Sequence, residues 1–204
     1  LVHEGKARAI GLSNHSPAAV RRALHALSDV PLASLQDDYS LVSRWPENEL
    51  LPLCRAHDVG FLCYSPLARG LLSGRAAPGA LAPSDPRRGD VLFHSSNLER
   101  VLSATEVLGE VARERGEQPA TTALVWLASQ PGVTSVVVGA RTPEQAIANA
   151  EALGKRLERE HEARLRSAFE AVRIDRAAGR GRLEQAIGLA RRAAGKARRL
   201  FSRW

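Results

Sequence analysis

The stretch "ARAIGLSNHSPAAVRRALHALS", residues 7–28, decides the fold that the sequence predicts. Its first six residues are typical of a short buried strand, and the polar pair Ser13-Asn14 follows directly. Ser16 and Pro17 then open a helix, because serine caps helix N-termini and proline suits the first helical turn. Apolar residues recur on one face of that helix, at Val20, Leu24 and Leu27. The stretch therefore predicts one strand-helix unit.

Similar units follow along the rest of the chain. Further strands are predicted at 32–37, 59–64 and 134–138, and further helices at 47–57, 97–115, 119–129, 142–153 and 157–172. A segment rich in Pro, Gly and Arg, at 73–95, is predicted as a long loop, of the kind that forms lids or is disordered. Chains that alternate strand and helix build parallel sheets or barrels. The apolar middle of 134–138 predicts a strand covered on both faces.

Each predicted strand stops at a polar group. These groups are Ser13-Asn14, Gln36, Tyr64-Ser65 and Gly139-Ala140-Arg141. Because strand C-terminal ends carry the chemistry of barrel folds, we expect the four groups to form one ligand site. Local patterns also allow simpler interpretations: a capped turn at Ser13-Asn14, a solvated strand end at Gln36, a packing aromatic at Tyr64 and a solvated charge at Arg141.

Composition excludes several classes of protein. With 204 residues and 44% hydrophobic content, the chain can build one domain with a sizeable core. No apolar run of about 18 residues predicts a membrane span, and the polar start shows no secretory signal. The two cysteines, Cys54 and Cys63, fit free thiols, and neither they nor the six histidines have metal-ligand spacing. We expect a cytoplasmic protein without a metal.

The net charge of +7 is concentrated at the C-terminus. Residues 173–204 hold nine Arg and one Lys against two acidic residues, which leaves 19 basic and 20 acidic residues elsewhere. A nucleic-acid surface on the globular part is therefore not expected. The tail is predicted as a basic amphipathic helix. Such a helix can contact an anionic membrane or an acidic partner weakly, or dock on the globular part with its charges solvated.

At these residues the chain resembles the C-terminal half of an aldo-keto reductase. The matching stretches are "EGKARAIGLSNHSP", "QDDYSLVSRWPENELLPLCRAHDVGFLCYSPLARGLLSG", "NLERVLSATEVLGEVARERG" and "QPATTALVWLASQPGVTSVVVGARTPEQAIANAEAL". The resemblance implies a TIM (β/α)8 barrel that reduces carbonyl compounds with NADPH and without a metal. Residues 1–172 would supply its last four strand-helix units, residues 173–204 would be an extension, and an N-terminal half barrel would be the missing partner.

The resemblance also implies a set of NADP-binding residues. It places Ser13, Asn14 and Gln36 on the nicotinamide carboxamide, and Tyr64 against the nicotinamide ring. The pyrophosphate would lie against a second group, Ser65, Leu67 and Arg69. The adenosine 2′-phosphate would lie against a third, Gly139, Arg141, Gln145 and Asn149. The residues themselves favour a phosphate at the third group, because Arg141 precedes a helix N-terminus at Thr142-Pro143.

No catalytic residue is predicted in this chain. The family's Asp, Tyr, Lys and His tetrad comes from the first four strands, and no position here matches it. The implied activity is the reduction of aldehydes or ketones to alcohols by hydride transfer. Two alternatives stay open: a nicotinamide-binding regulatory module without catalysis, and an inactive truncated fragment. The carbonyl substrate is not specified by these residues.

Overall fold

The computed structural model describes residues 1–27, 30–74, 81–82 and 84–175. Its strands are β1 (Ile10–Ser13), β2 (Leu32–Asp38), β3 (Gly60–Tyr64) and β4 (Val133–Val136). Its α-helices are α1 (Pro17–Ala26), α2 (Leu50–Ala56), α3 (Ser95–Glu114), α4 (Pro119–Ala128), α5 (Pro143–Ala150) and α6 (Arg159–Glu170). Strand and helix alternate in the predicted order, with α3 and α4 both between β3 and β4.

The four strands form one parallel sheet in the order β1-β2-β3-β4. Each strand pairs with the next one along the chain, so all four C-terminal ends lie at the same edge. The register places Ser13 opposite Gln36, and Asp38 opposite Tyr64. The prediction of an α/β fold with a parallel sheet is confirmed.

The two faces of the sheet differ in burial. Leu35, Phe61 and Cys63 share one face and are fully buried. On the other face Gln36 and Tyr64 are half-buried, and Ser13 is exposed. Successive side chains of a strand point to opposite faces, so this contrast means that one face carries the core.

Strand β4 departs from its prediction in extent and burial. It ends at Val136 rather than at 138, although the Val137 N–H still donates to the Cys63 carbonyl at 2.8 Å. Val137 is 45% exposed, so within the described residues the end of this strand is covered on one face and not, as had been predicted, on both. Its apolar run continues onto the less buried face, and hydrophobicity alone does not distinguish the two faces.

Other differences come from turns that periodicity does not reveal. Strand β1 starts at Ile10 rather than at residue 7, because Lys6 and Ala7 N–H groups donate to the Leu1 carbonyl in a turn. The helix predicted at 47–57 is divided into a 3₁₀ turn, Trp45–Glu47, and α2. Pro46 is the second residue of the first piece, a position in the first turn that suits proline.

The core of the covered face is built around aromatic side chains. Tyr39, Phe61 and Trp126 are fully buried. The Tyr39 ring meets the Phe61 ring edge-on, with centroids 6.2 Å apart, and lies 5.9 Å from the Trp126 ring. Such pairs add to area burial and fix ring orientation. Because Tyr39 follows β2 directly, this packing also anchors the C-terminal end of that strand.

The chain divides into two compact units. The first is Leu1–Ala77 with Val101–Val172, and it contains the whole sheet. The second is Pro78–Arg100 with Arg173–Trp204. Its described part has two 3₁₀ turns, Pro86–Gly89 and Val91–Phe93. Both turns lie within the segment at 73–95 that was predicted as a loop. Buried Asn97 donates to the Val91 carbonyl at 2.9 Å and accepts from the Asp175 N–H at 2.9 Å.

The predicted amphipathic tail lies outside the described residues, which end at residue 175. The boundary between the predicted half barrel, 1–172, and its extension, 173–204, stays a prediction. None of the helices in the described ranges has the length and apolar character to cross a membrane. Within those same ranges, no three His, Cys, Asp or Glu side chains come together as a possible metal site.

Candidate functional site

Three of the predicted site residues meet at the C-terminal edge of the sheet. Ser13 ends β1, Gln36 lies opposite it on β2, and Tyr64 ends β3. Asn14 follows Ser13, and its N–H donates to the Gln36 carbonyl at 3.0 Å. This hydrogen bond continues the sheet pairing by one residue and fixes Asn14 beside β2.

The Asn14 side chain joins the ends of β1 and β3. The Tyr64 hydroxyl donates to Asn14 Oδ1 at 2.6 Å, and Asn14 Nδ2 donates to Ser13 Oγ at 3.0 Å. Asn14 has a φ of +57°, in the left-handed region that asparagine tolerates better than most residues. A conformation of this kind at a hydrogen-bonded cluster is typical of functional sites.

The surroundings of Tyr64 favour the protonated form of its phenol. Burial raises the pKa of Tyr64, and the nearby carboxylates Asp38 and Asp37 raise it further, while Arg69 acts in the opposite direction. A protonated phenol is a hydrogen-bond donor, in agreement with its bond to Asn14. The acidic pair was not among the predicted site residues. The signal was present, since "DD" follows Gln36 directly.

The loop after β3 has an irregular backbone. Ser65, Ala68 and Arg69 have φ values of +52°, +46° and +55°, and Gly70 has +95°. Hydrogen bonds from the Gly70 and Leu72 N–H groups to the Leu67 carbonyl hold this shape. Glycine reaches such conformations without a steric penalty, whereas the three other residues are strained in them.

The side chain of Leu67 has a packing role. Leu67, Val136 and Val138 all pack against a buried cluster of Leu124, Val125 and Ala152. This cluster connects the loop after β3 with the end of β4. A ligand contact by Leu67 would therefore come from its backbone, as the sequence resemblance implied.

The remaining predicted residues meet at the start of α5. Thr142 caps the helix by accepting from the Gln145 N–H at 3.3 Å. Gln145 Oε1 accepts from the Arg141 N–H at 2.8 Å, and Asn149 Nδ2 donates to the Gly139 carbonyl at 3.3 Å. These contacts fix the Gly139–Thr142 turn on the helix N-terminus.

The Arg141 side chain is exposed, and no group in the described part of the chain pairs with its guanidinium. A helix N-terminus presents free N–H groups and a partial positive charge, which favour an anion. Guanidinium adds two parallel donors that match a phosphate. The turn before α5 can therefore hold a phosphate.

The group at the C-terminal end of the sheet comes from β1, β2 and β3, and the α5 turn follows the neighbouring strand β4. The first offers amide donors and acceptors with an aromatic ring, and the second offers an anion site. Together they match a ligand that carries a carboxamide, a flat ring and phosphates. Lys6, which precedes β1, pairs with Glu4 at 2.7 Å and is not in this group.

Comparison with known proteins identifies relatives that belong to one family. The model of the aldo/keto reductase family matches residues 1–170. The chain is 34% identical over 179 residues to "Probable aldo-keto reductase 1" of Glycine max, covering 88% of this chain and 50% of that protein. It is 35% identical over 153 residues to the NADH-specific methylglyoxal reductase of Escherichia coli, covering 75% and 46%.

A solved structure supports the same assignment. The chain resembles the glycerol dehydrogenase of Gluconobacter oxydans with a TM-score of 0.75 and 30% identity, covering 84% of this chain and 52% of that one. The chain thus spans about half the length of the relatives it matches. Sequence and structure agree, and the chain belongs to the aldo/keto reductase family.

Proposed function

We propose that this chain is the cofactor-binding half of an NADP-dependent aldo-keto reductase that reduces aldehydes or ketones by hydride transfer. The observation that carries the proposal is the Ser13–Asn14–Tyr64 hydrogen-bonded group at the C-terminal edge of a parallel sheet. Amides and a flat ring at this edge suit a nicotinamide. Four parallel strands with this order suit one half of an eight-stranded barrel, so an N-terminal half barrel is the proposed partner.

The choice of NADP rests on the turn before α5. Arg141 is an unpaired, exposed cation in the described structure, beside a capped helix N-terminus. A 2′-phosphate has the charge and geometry for this position, and the 2′-hydroxyl of NAD lacks both. One relative is named as NADH-specific, so the phosphate contact must be tested on this chain.

The test is the Arg141→Ala variant. We expect NADPH affinity to fall by roughly tenfold or more, since charge-assisted hydrogen bonds contribute about 1.5–3 kcal/mol. NADH affinity should change little, because NADH has no 2′-phosphate. Cofactor fluorescence titration measures both dissociation constants.

The matched control is Arg22→Ala, which removes an exposed arginine from α1, away from the α5 turn. This variant should bind both cofactors as the unmodified chain does. If Arg141→Ala weakens NADH and NADPH equally, Arg141 does not bind the 2′-phosphate, and the proposed NADP preference is wrong.

A second candidate is a nicotinamide-binding module without catalysis. No position of this sequence matches the family's catalytic tetrad, which the resemblance places on strands outside residues 1–172, so the residues present fit both candidates. Both candidates predict cofactor binding by the residues above, and they differ in whether hydride reaches a carbonyl carbon. The tetrad positions of the complete protein separate the two.

A further inference from the structure

The Asn14 carboxamide is held at both of its polar atoms. Its oxygen accepts from the Tyr64 hydroxyl at 2.6 Å, and its nitrogen donates to Ser13 Oγ at 3.0 Å. Its backbone N–H is bonded to the Gln36 carbonyl, and its φ is left-handed. Both the backbone and the side chain of this exposed residue are thus fixed before any ligand arrives.

The bond from Tyr64 reaches across a whole strand. Asn14 follows β1 and Tyr64 ends β3, with β2 between them. Neighbouring strands lie about 4.8 Å apart, so the two strand ends are separated by roughly 10 Å. Tyr64 spans that gap through its ring and hydroxyl. The orientation of the ring and that of the Asn14 amide are therefore set by the same hydrogen bond.

The hydrogen bonds of the Asn14 amide set which of its atoms faces Tyr64. The oxygen accepts from the phenol at 2.6 Å, a usual length for an O–H···O bond, and the nitrogen donates to Ser13. A phenol is protonated at neutral pH, and burial raises the pKa of Tyr64 further, so the hydroxyl is in the donor state that this arrangement needs.

Half of the bonding capacity of this amide is left over. A carboxamide oxygen can accept two hydrogen bonds, and its nitrogen can donate two. Ser13 and Tyr64 take one of each, and no other group in the described ranges bonds to the Asn14 side chain. One acceptor position and one donor position of the amide therefore stay available. This pair is complementary to the donor and acceptor of another primary carboxamide.

We propose that the Tyr64 hydroxyl is a positioning group that orients the Asn14 amide to receive the carboxamide of a nicotinamide cofactor. The inference rests on the proposed function and adds a second role for Tyr64, separate from any contact by its ring. Without the hydroxyl, the Asn14 amide keeps only its bond to Ser13 Oγ, so its orientation is less restricted and must be ordered further when the ligand binds. Ordering of that kind lowers affinity.

The test is the Tyr64→Phe variant, which keeps the ring and removes the hydroxyl. Two probes are titrated against the protein that contains both this chain and its proposed N-terminal half barrel: NADPH, and 2′-phospho-ADP-ribose, which lacks the nicotinamide. We expect the NADPH dissociation constant to rise roughly tenfold, the effect of one hydrogen bond, with no change for 2′-phospho-ADP-ribose. Tyr39→Phe is the matched control, because the Tyr39 hydroxyl bonds to Glu47 instead.

A second measurement reports the amide directly. Side-chain ¹⁵N relaxation of Asn14 should show a rigid amide in the unmodified chain and a mobile one in Tyr64→Phe. Unchanged NADPH affinity, or equal loss of both probes, would overturn the inference and leave the proposed function standing. Failure of the unmodified protein, with both half barrels present, to bind either probe would instead overturn the proposed function itself.

Discussion

Glu47 accepts hydrogen bonds from two side chains, the Tyr39 hydroxyl at 3.0 Å and the Arg44 guanidinium at 2.7 Å. Arg44 also lies over the Trp126 ring, 5.7 Å from its centroid. Burial opposes the charged form of Glu47, but the bonds from Arg44 and Tyr39 outweigh it and lower the pKa of the carboxyl. Three polar residues can therefore lie at the edge of an aromatic core, because the hydrogen bonds among them satisfy their polar atoms.

Tyr39→Phe should lower the free energy of unfolding by about 1–1.5 kcal/mol, the net contribution of one hydrogen bond. The ring contacts with Phe61 and Trp126 are kept, so a larger loss is not expected. Urea denaturation at neutral pH gives the value. No loss of stability would show that the bond to Glu47 contributes nothing.

The sequence located the polar strand ends but not all their contacts. Ser13, Gln36 and Tyr64 were found because apolar runs stop beside them. The bond between Asn14 and Tyr64 was not foreseen, since their proximity depends on sheet order and on a left-handed φ. Neither sheet order nor a left-handed φ can be read from the spacing of apolar residues in the sequence.

At the scale of elements, α3 and α6 are joined by a network of ion pairs. His161 Nδ1 lies 2.7 Å from a Glu158 oxygen, and its Nε2 lies 3.0 Å from a Glu114 oxygen. Arg164 donates to Glu114 at 2.6 Å, and Arg115 donates to Glu158. Networks of this kind contribute more to the stability of the fold than isolated surface ion pairs do.

This network predicts a specific sensitivity to acid. Hydrogen bonding to His161, and then to the backbone and Arg115, lowers the pKa of Glu158 to about 2. A carboxylate with a lowered pKa stabilises the fold fully above its ordinary pKa of about 4.3, and this contribution is lost as pH falls towards 2. Glu158→Gln should therefore flatten the decline of the urea midpoint between about pH 5 and about pH 2.

Glu160→Gln is the control, since Glu160 is an exposed acidic residue in the first turn of the same helix. It should leave the acid limb as steep as in the unmodified chain. Equal flattening by both substitutions would show that general helix charge, rather than the contact with His161, causes the effect.

Element order was predictable because strands and helices differ in the spacing of their apolar residues. The residues at which the elements begin and end were less predictable. The helix expected at 47–57 breaks into two pieces, since Glu49 has a non-helical backbone between them. The segment at 73–95 contains 3₁₀ turns capped by Asp85 and Asp90, and such short turns depend on local hydrogen bonds rather than periodicity.

For the whole molecule, the uneven burial of the sheet has a consistent meaning. One face carries the core of Leu35 and Phe61, and the other carries Gln36 and Tyr64. Parallel sheets are usually covered on both faces. The less buried face is the one that would line the interior of a closed barrel, which agrees with the proposed half barrel and its partner.

The two tyrosines of the chain, Tyr39 and Tyr64, also give it an optical signature in base. Burial raises the pKa of both phenols, and Glu47 adds to the effect at Tyr39. A raised phenol pKa stabilises the fold below about pH 10 and stops doing so as the phenol loses its proton. In an alkaline titration, the near-ultraviolet absorbance of phenolate should therefore rise only above about pH 10, in one cooperative step with unfolding. A gradual rise centred at about pH 10 would contradict this expectation.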